Sequence, residues 1–318
     1  NSFCTLLALP MSRLPQLVLR DHALAMFRPG GAALHPLLQR SFRHDGSNRN
    51  DALWCDAVDR LLPAALMGLC EHVSLVELHA SLVPWVREQV VKSADEPTAH
   101  AVMESVSAYV DGPDDVAELP SDVRHVSFVA HWDEVFLLSA FPTSSPAAMQ
   151  VRSDLIIDEC VARNVRANAL VLGAASCPFR KEANFAGAAD EALRLVRGGC
   201  STVTFDDTAA ANDAEGVEIV LKTAIAHGLN PGQELGVAVR PGPAVGNIVE
   251  RACGVGVRQF SSASMSYQRD HANALVTSRA LLTAAVQVLG GVEEETLDAL
   301  QKLGDATGGL ARRCCATA

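Results

Sequence analysis

NALVLGAASCPFRKEANFAGAADEALRLVRGGCSTVTFD, residues 168–206, is the stretch that decides the fold. It opens on a short apolar run, Asn168–Gly173, and closes on another, Ser201–Asp206. Between them Ala188–Arg197 carries apolar residues at helical spacing, and Gly198-Gly199 follows its last turn as C-cap glycines do. Two buried-type strands joined by a helix make the unit of a parallel sheet. The unit recurs in both directions. Upstream lie Gln16–Arg20, Val73–Leu78, Val106–Val110 and His125–Ala130, and downstream Leu235–Val239 and Val257–Ser261. Asp56–Cys70, Ser153–Asn164 and Ala214–His227 are further amphipathic runs, the last followed by Gly228. Strand–helix alternation through eight strands predicts a closed (β/α)8 barrel, the TIM barrel. An open doubly wound sheet of the dinucleotide-binding kind would want GxGxxG after its first strand, and none is there.

No Pro/Ser linker or low-complexity stretch divides the 318 residues, so the reading is one domain. Its expected limits are an N-terminal extension over 1–14, a barrel over 15–306 and a tail over 307–318. Arg28–Asn50 reads as an inserted loop or irregular first helix, and Asp111–Asp122 as a second polar stretch. With 49% hydrophobic residues the chain can fill a full core, yet no apolar run is long enough to suggest a membrane span. A net charge of −11 argues against an extensive nucleic-acid footprint and favours protein contacts. The nine cysteines are scattered without a CxxC and read as reduced, mostly buried thiols. The first residue is Asn1, and no acidic residue precedes Asp21, as at the edge of a processed or truncated chain.

In a parallel barrel the chemistry gathers at the C-terminal strand ends. Here those ends read Arg20-Asp21-His22, Glu77-Leu78-His79, His131-Trp132-Asp133-Glu134, Ser176-Cys177-Pro178-Phe179, Asp206-Asp207-Thr208, Val239-Arg240-Pro241 and Ser261-Ser262. Their order and spacing resemble the HMG-CoA lyase branch of the pyruvate-carboxyltransferase-like barrels. Leu17–His22 is similar to that family's first strand ending in R-D-G, with His22 in place of the glycine. Leu75–Pro84 is similar to its V-I-E-T-T-S-F-V-S-P, Ser176–Phe179 to G-C-P-Y, Asp206–Thr208 to G-D-T, and Phe260–Ser262 to D-S-S. The similarity runs from about Pro15 to the helix ending near Gly290.

The resemblance implies carbon–carbon bond cleavage assisted by Mg²⁺ or Mn²⁺, which polarises the substrate oxygens. It implies Asp21 and Asn273 as metal ligands, and Arg20, Glu77 and Asp207 as catalytic groups. It also requires an H-x-H at the end of strand 7 and a glycine-rich loop with a catalytic cysteine after strand 8. Neither is present: Gly236–Arg240 has no histidine, and Ala263–His271 has neither glycine nor cysteine. A hard divalent ion needs several ligands in fixed geometry, and His131, His22 or His271 would replace the missing pair poorly. We therefore expect a catalytically inactive relative that binds no metal cofactor. By family resemblance it would serve as a structural or interaction subunit of a mitochondrial assembly, or as a homodimer. Its retained charges then belong to the barrel's internal polar network. The alternative is a divergent lyase or aldolase acting on a short acyl-CoA or small acid, with Mg²⁺, Mn²⁺ or an altered site. A non-catalytic acyl-CoA or small-acid sensor lies between them. Arg240 enters where the metal motif has gone, and is expected to replace the lost charge by pairing with Asp21 or Asp207. Trp54, Trp85 and Trp132 read as packing residues, and His125 and His227 as surface element ends.

Overall fold

The computed structural model describes residues 17–22, 24, 62–130, 132–140, 145–209, 211, 213–263, 275, 277–289, 297–302 and 305. The expectations for Arg28–Asn50, His131, most of the Ala263–His271 loop and Asn273 fall outside these residues. Eight parallel strands close into a barrel in sequence order. They are β1 Val18–Asp21, β2 Leu75–His79, β3 Val106–Tyr109, β4 His125–Ala130, β5 Arg166–Ser176, β6 Thr202–Asp207, β7 Leu235–Ala238 and β8 Gln259–Ser262. All eight lie on the strands expected from the sequence. The chain is thus a TIM barrel.

Helices wrap the sheet: α1 at 62–70, α2 Val83–Ser93, α3 Glu96–Glu104, α4 Pro113–Ala117, α5 Glu134–Ala140, α6 Pro146–Ala162, α7 Phe185–Gly198, α8 Ala214–Ala226, α9 Val245–Gly254 and α10 Ser278–Leu289. Each is delimited by ordinary chemistry. Asp95, Ser145, Asn184 and Asp213 accept from backbone N–H groups at the starts of α3, α6, α7 and α8. Gly199 closes α7 at φ 114°, a conformation that strains any residue with a Cβ. The polar Asp111–Asp122 stretch contains α4.

Strand residues alternate between the axis and the helices. The helix side is the apolar core. Leu19 pairs with Phe260, and Val203 with Leu235. Phe205 and Phe260 flank Val237, and all six are buried. The axis side mixes apolar residues, such as Leu75, Val129 and Leu170, with polar ones. Thr204 Oγ1 donates to Asn168 Oδ1 at 2.9 Å, Thr202 Oγ1 to Gln259 Oε1 at 3.3 Å, and Arg20 Nη1 to Ser107 Oγ. In register with these are Glu77 beside Ser107, Ser127 beside Asn168 and Gly236 beside Thr204. TIM barrels ordinarily fill this space with Val, Ile and Leu. Here side-chain hydrogen bonds replace part of that branched packing.

Gly236 is what lets two of these layers close. A Cβ there would lie 2.9 Å from Thr204 Oγ1 and 3.4 Å from Gln259 Cβ. Thr204 can turn away only by giving up its bond to Asn168. Gly236→Ala is therefore expected to cost about 1–3 kcal/mol in urea denaturation, as overpacking does. A variant as stable as the parent would show that the axis is looser than these contacts imply.

Candidate active site

The strand ends carry a dense set of buried polar groups. Arg20, Asp21, His22, Glu77, Asp206, Asp207 and Arg240 are all 6% exposed or less. The parity of each strand decides which of them face one another. On β6, Thr202, Thr204 and Asp206 share the axis side, while Val203, Phe205 and Asp207 share the helix side. On β1, Arg20 is on the axis side, and Asp21 follows Leu19 toward the helices.

Arg240 lies two residues beyond Ala238, which is the register partner of Asp206. Its Nε and Nη2 donate to Asp206 Oδ1 and Oδ2 at 2.9 and 2.7 Å. This is a bidentate, charge-assisted pair with the acid fully buried. The expectation of a pairing with Asp21 or Asp207 is thus corrected: the carboxylate in the guanidinium fork is Asp206. The cause is strand parity, which turns Asp206 inward with Arg240 and its neighbour outward. The signal was legible as the polar–apolar alternation along 202–207.

Asp207 accepts from Ser176 Oγ and from the backbone N–H of Ala211, which ties the ends of β5 and β6 together. Asp21 Oδ2 accepts from Ser278 Oγ at the start of α10, and that hydroxyl also lies 2.6 Å from Ser262 Oγ on β8. Ser176 opens the stretch similar to G-C-P-Y, whereas Ser278 carries no signal in the sequence that would single it out. His22 Nδ1 is in contact with Glu77 Oε2, and both side chains are wholly buried. Thus the histidine that stands where a glycine was expected fills the barrel between β1 and β2. Arg20 bonds Ser107 on β3, and burial lowers its pKa to about 10, offset only by Cys200. His79 Nδ1 lies 2.8 Å from Ser81 Oγ, and its Nε2 is 3.6 Å from Asp111 Oδ2. Arg180 pairs with buried Asp133 at 2.7 Å, and the Trp132 indole donates to the carbonyl of Leu172. Trp132 is thus a packing residue, as expected. His227 pairs with Asp190 at 3.2 Å on the surface. His125 is at an element end as expected, the first residue of β4, but it is half-buried on the strand's inward face.

These residues do not fit a divalent cation. Asp21 lies on the helix side of its strand, bonded to a serine hydroxyl. The axis-side carboxylate of β6 already holds a guanidinium, a full positive charge at the place where the resemblance asks for imidazoles. Among the described residues, no three His, Cys, Asp or Glu side chains are grouped so as to hold a metal. The described cysteines, Cys70, Cys160, Cys177, Cys200 and Cys253, are unbridged, and all but Cys70 are buried. No helix among these residues is long and apolar enough to cross a membrane.

No protein-family model matches the chain, and no curated protein does. Solved structures do. The HMG-CoA lyase of Brucella melitensis superposes with a TM-score of 0.68 at 16% identity, over 93% of this chain and 98% of its own. The hydroxymethylglutaryl-CoA lyase of Pseudomonas aeruginosa gives 0.63 at 18% identity, over 95% and 98%. The carboxyl transferase domain of Rhizobium etli pyruvate carboxylase gives 0.55 at 12% identity, over 92% of this chain and 47% of that one. The fold is therefore the one shared by HMG-CoA lyases and the pyruvate carboxylase carboxyl transferase domain.

Proposed function

We propose that this chain is a non-catalytic barrel of HMG-CoA lyase type, which works as a structural or interaction subunit of a larger mitochondrial protein assembly. The observation that carries the reading is the buried Arg240–Asp206 pair at the end of β7. In a lyase of this kind the strand-7 ligands are neutral donors that leave the cation's charge for the substrate oxygens. A guanidinium fixed there occupies the carboxylate and repels a divalent ion. His22 and Glu77 are likewise engaged with each other. The polar groups that resemble catalytic ones thus spend their bonding on the barrel. The net charge of −11 favours protein surfaces over RNA as partners.

Purified full-length chain is expected to contain neither Mg²⁺ nor Mn²⁺ in stoichiometric amount. It is expected to leave 3-hydroxy-3-methylglutaryl-CoA uncleaved, and to purify from mitochondria within a large complex. A bound stoichiometric ion together with carbon–carbon cleavage would falsify this reading in favour of a divergent lyase.

A further inference from the structure

At the pole opposite the strand ends just described, a groove of about 600 Å³ opens where β4, β5 and β6 begin. Arg124, His125 and Arg166 line it, with Glu104, Asn164 and Ser201 among the other walls. Its volume falls in the range of small-molecule pockets, about 300–1,000 Å³. Arg124 and Arg166 are exposed, and among the described residues neither guanidinium has a hydrogen bond or ion pair. Among the described residues the one acid that lines it, Glu104, lies 3.5 Å from His100 on its own helix. A cationic recess on a chain of net charge −11 runs against the average of its surface.

The groove's inner wall leads to a buried cation. His125 is the register partner of Ser107, and Ser107 Oγ accepts from Arg20 Nη1. The Arg20 guanidinium therefore stands next to His125 on the same inward face. It offers five N–H donors, of which Ser107 takes one, and no carboxylate among the described residues bonds it. Burial, then the charges of Arg20 and Arg166, hold the His125 imidazole down at about 4, so it is neutral at pH 7 and can accept a hydrogen bond as well as donate one. Two residues along β4, Ser127 Oγ has no partner, and nor has Asn168 Nδ2 opposite it on β5. Unpaired buried polar groups are costly and rare in native structures. Two free guanidiniums and a half-buried imidazole thus line one recess, and the unpartnered Ser127 and Asn168 groups lie further along the inward faces of the same strands.

We propose that this pole binds a phosphorylated small molecule, its phosphate held between Arg124 and Arg166 and directed toward His125. Guanidinium forks match phosphate geometry, and the groove has room for the rest of such a ligand. The residues that line the groove, Arg124, His125 and Arg166 among them, are not those that decide between scaffold and lyase. Failure of this proposal therefore leaves that question untouched, and the reverse also holds.

Calorimetric titration of the full chain with inorganic phosphate and with pyrophosphate tests it. One saturable site is expected, with a Kd of about 0.1–1 mM for the tighter anion. Arg124→Glu and Arg166→Glu, both on exposed positions and read out for folding by circular dichroism, should each weaken binding about tenfold or more. Arg279→Glu, an equal charge change on α10, should leave it unchanged. Absence of saturable binding overturns the proposal. So does equal weakening by Arg279→Glu, which would mean attraction to net charge and no site.

Discussion

Arg240→Ala is expected to destabilise the barrel by about 3–5 kcal/mol, because it leaves the Asp206 carboxylate buried without the cation in its fork. For a domain of this size that corresponds to a Tm about 10 °C lower. The magnitude follows from burial on both sides: Arg240 is 4% exposed and Asp206 is fully enclosed. An exposed pair of the same length would be worth less than about 1 kcal/mol. Arg240→Lys keeps the charge and loses the fork, so it should fall between the parent and the alanine variant. The double variant Arg240→Met with Asp206→Leu removes both charges, and should recover most of the loss. Thermal and urea unfolding of the four proteins measures this. A single alanine variant within about 1 kcal/mol of the parent would mean that the pair is not structural. Recovery of Arg240→Ala by added Mn²⁺ would mean that the vacated position still takes a divalent ion. That result would count against the scaffold reading.

The Arg240–Asp206 pair separates what a sequence carries from what only the fold decides. Strand–helix alternation fixes a barrel because each buried parallel strand is a short apolar run, and all eight runs fell where strands form. The missing strand-7 histidines and the entry of Arg240 are matters of residue identity, which a sequence shows directly. The partner of Arg240 is a matter of parity. A shift of one residue turns a side chain to the opposite face. Asp206 rather than Asp207 meets the guanidinium because Thr202 and Thr204 share its side. Contacts set by closure of the whole barrel were beyond reach. Ser278 reaches Asp21 across 257 residues of sequence, and Ser107 reaches Arg20 across 87. The polar part of the axis was hidden for a related reason. Its members are single Ser, Thr, Asn and Gln residues inside otherwise apolar strands, and only the closed sheet brings them together.

His22→Gly restores the glycine found at this position in the lyases that the chain resembles, and it separates two views of the strand ends. If the histidine is an addition to a working mouth, removing it should leave the fold intact and open the site to divalent ions. If it has become part of the barrel, the change strips Glu77 of an imidazole with which it is paired at zero exposure, and opens a void between β1 and β2. Breaking a buried pair by removing one partner costs about 3–5 kcal/mol. Glycine just beyond the end of β1 adds about 0.5–1 kcal/mol through the entropy of the unfolded chain. The expected result is therefore a loss of about 4–6 kcal/mol in urea denaturation, with no gain in Mn²⁺ affinity. Adding Glu77→Gln to His22→Gly should return part of the loss, since the amide buries without a charge. His22→Gln, which keeps a donor toward Glu77, should cost about 1–2 kcal/mol. A His22→Gly protein that unfolds like the parent and binds Mn²⁺ more tightly would defeat the structural account of His22. It would make the strand ends a site that the histidine merely covers.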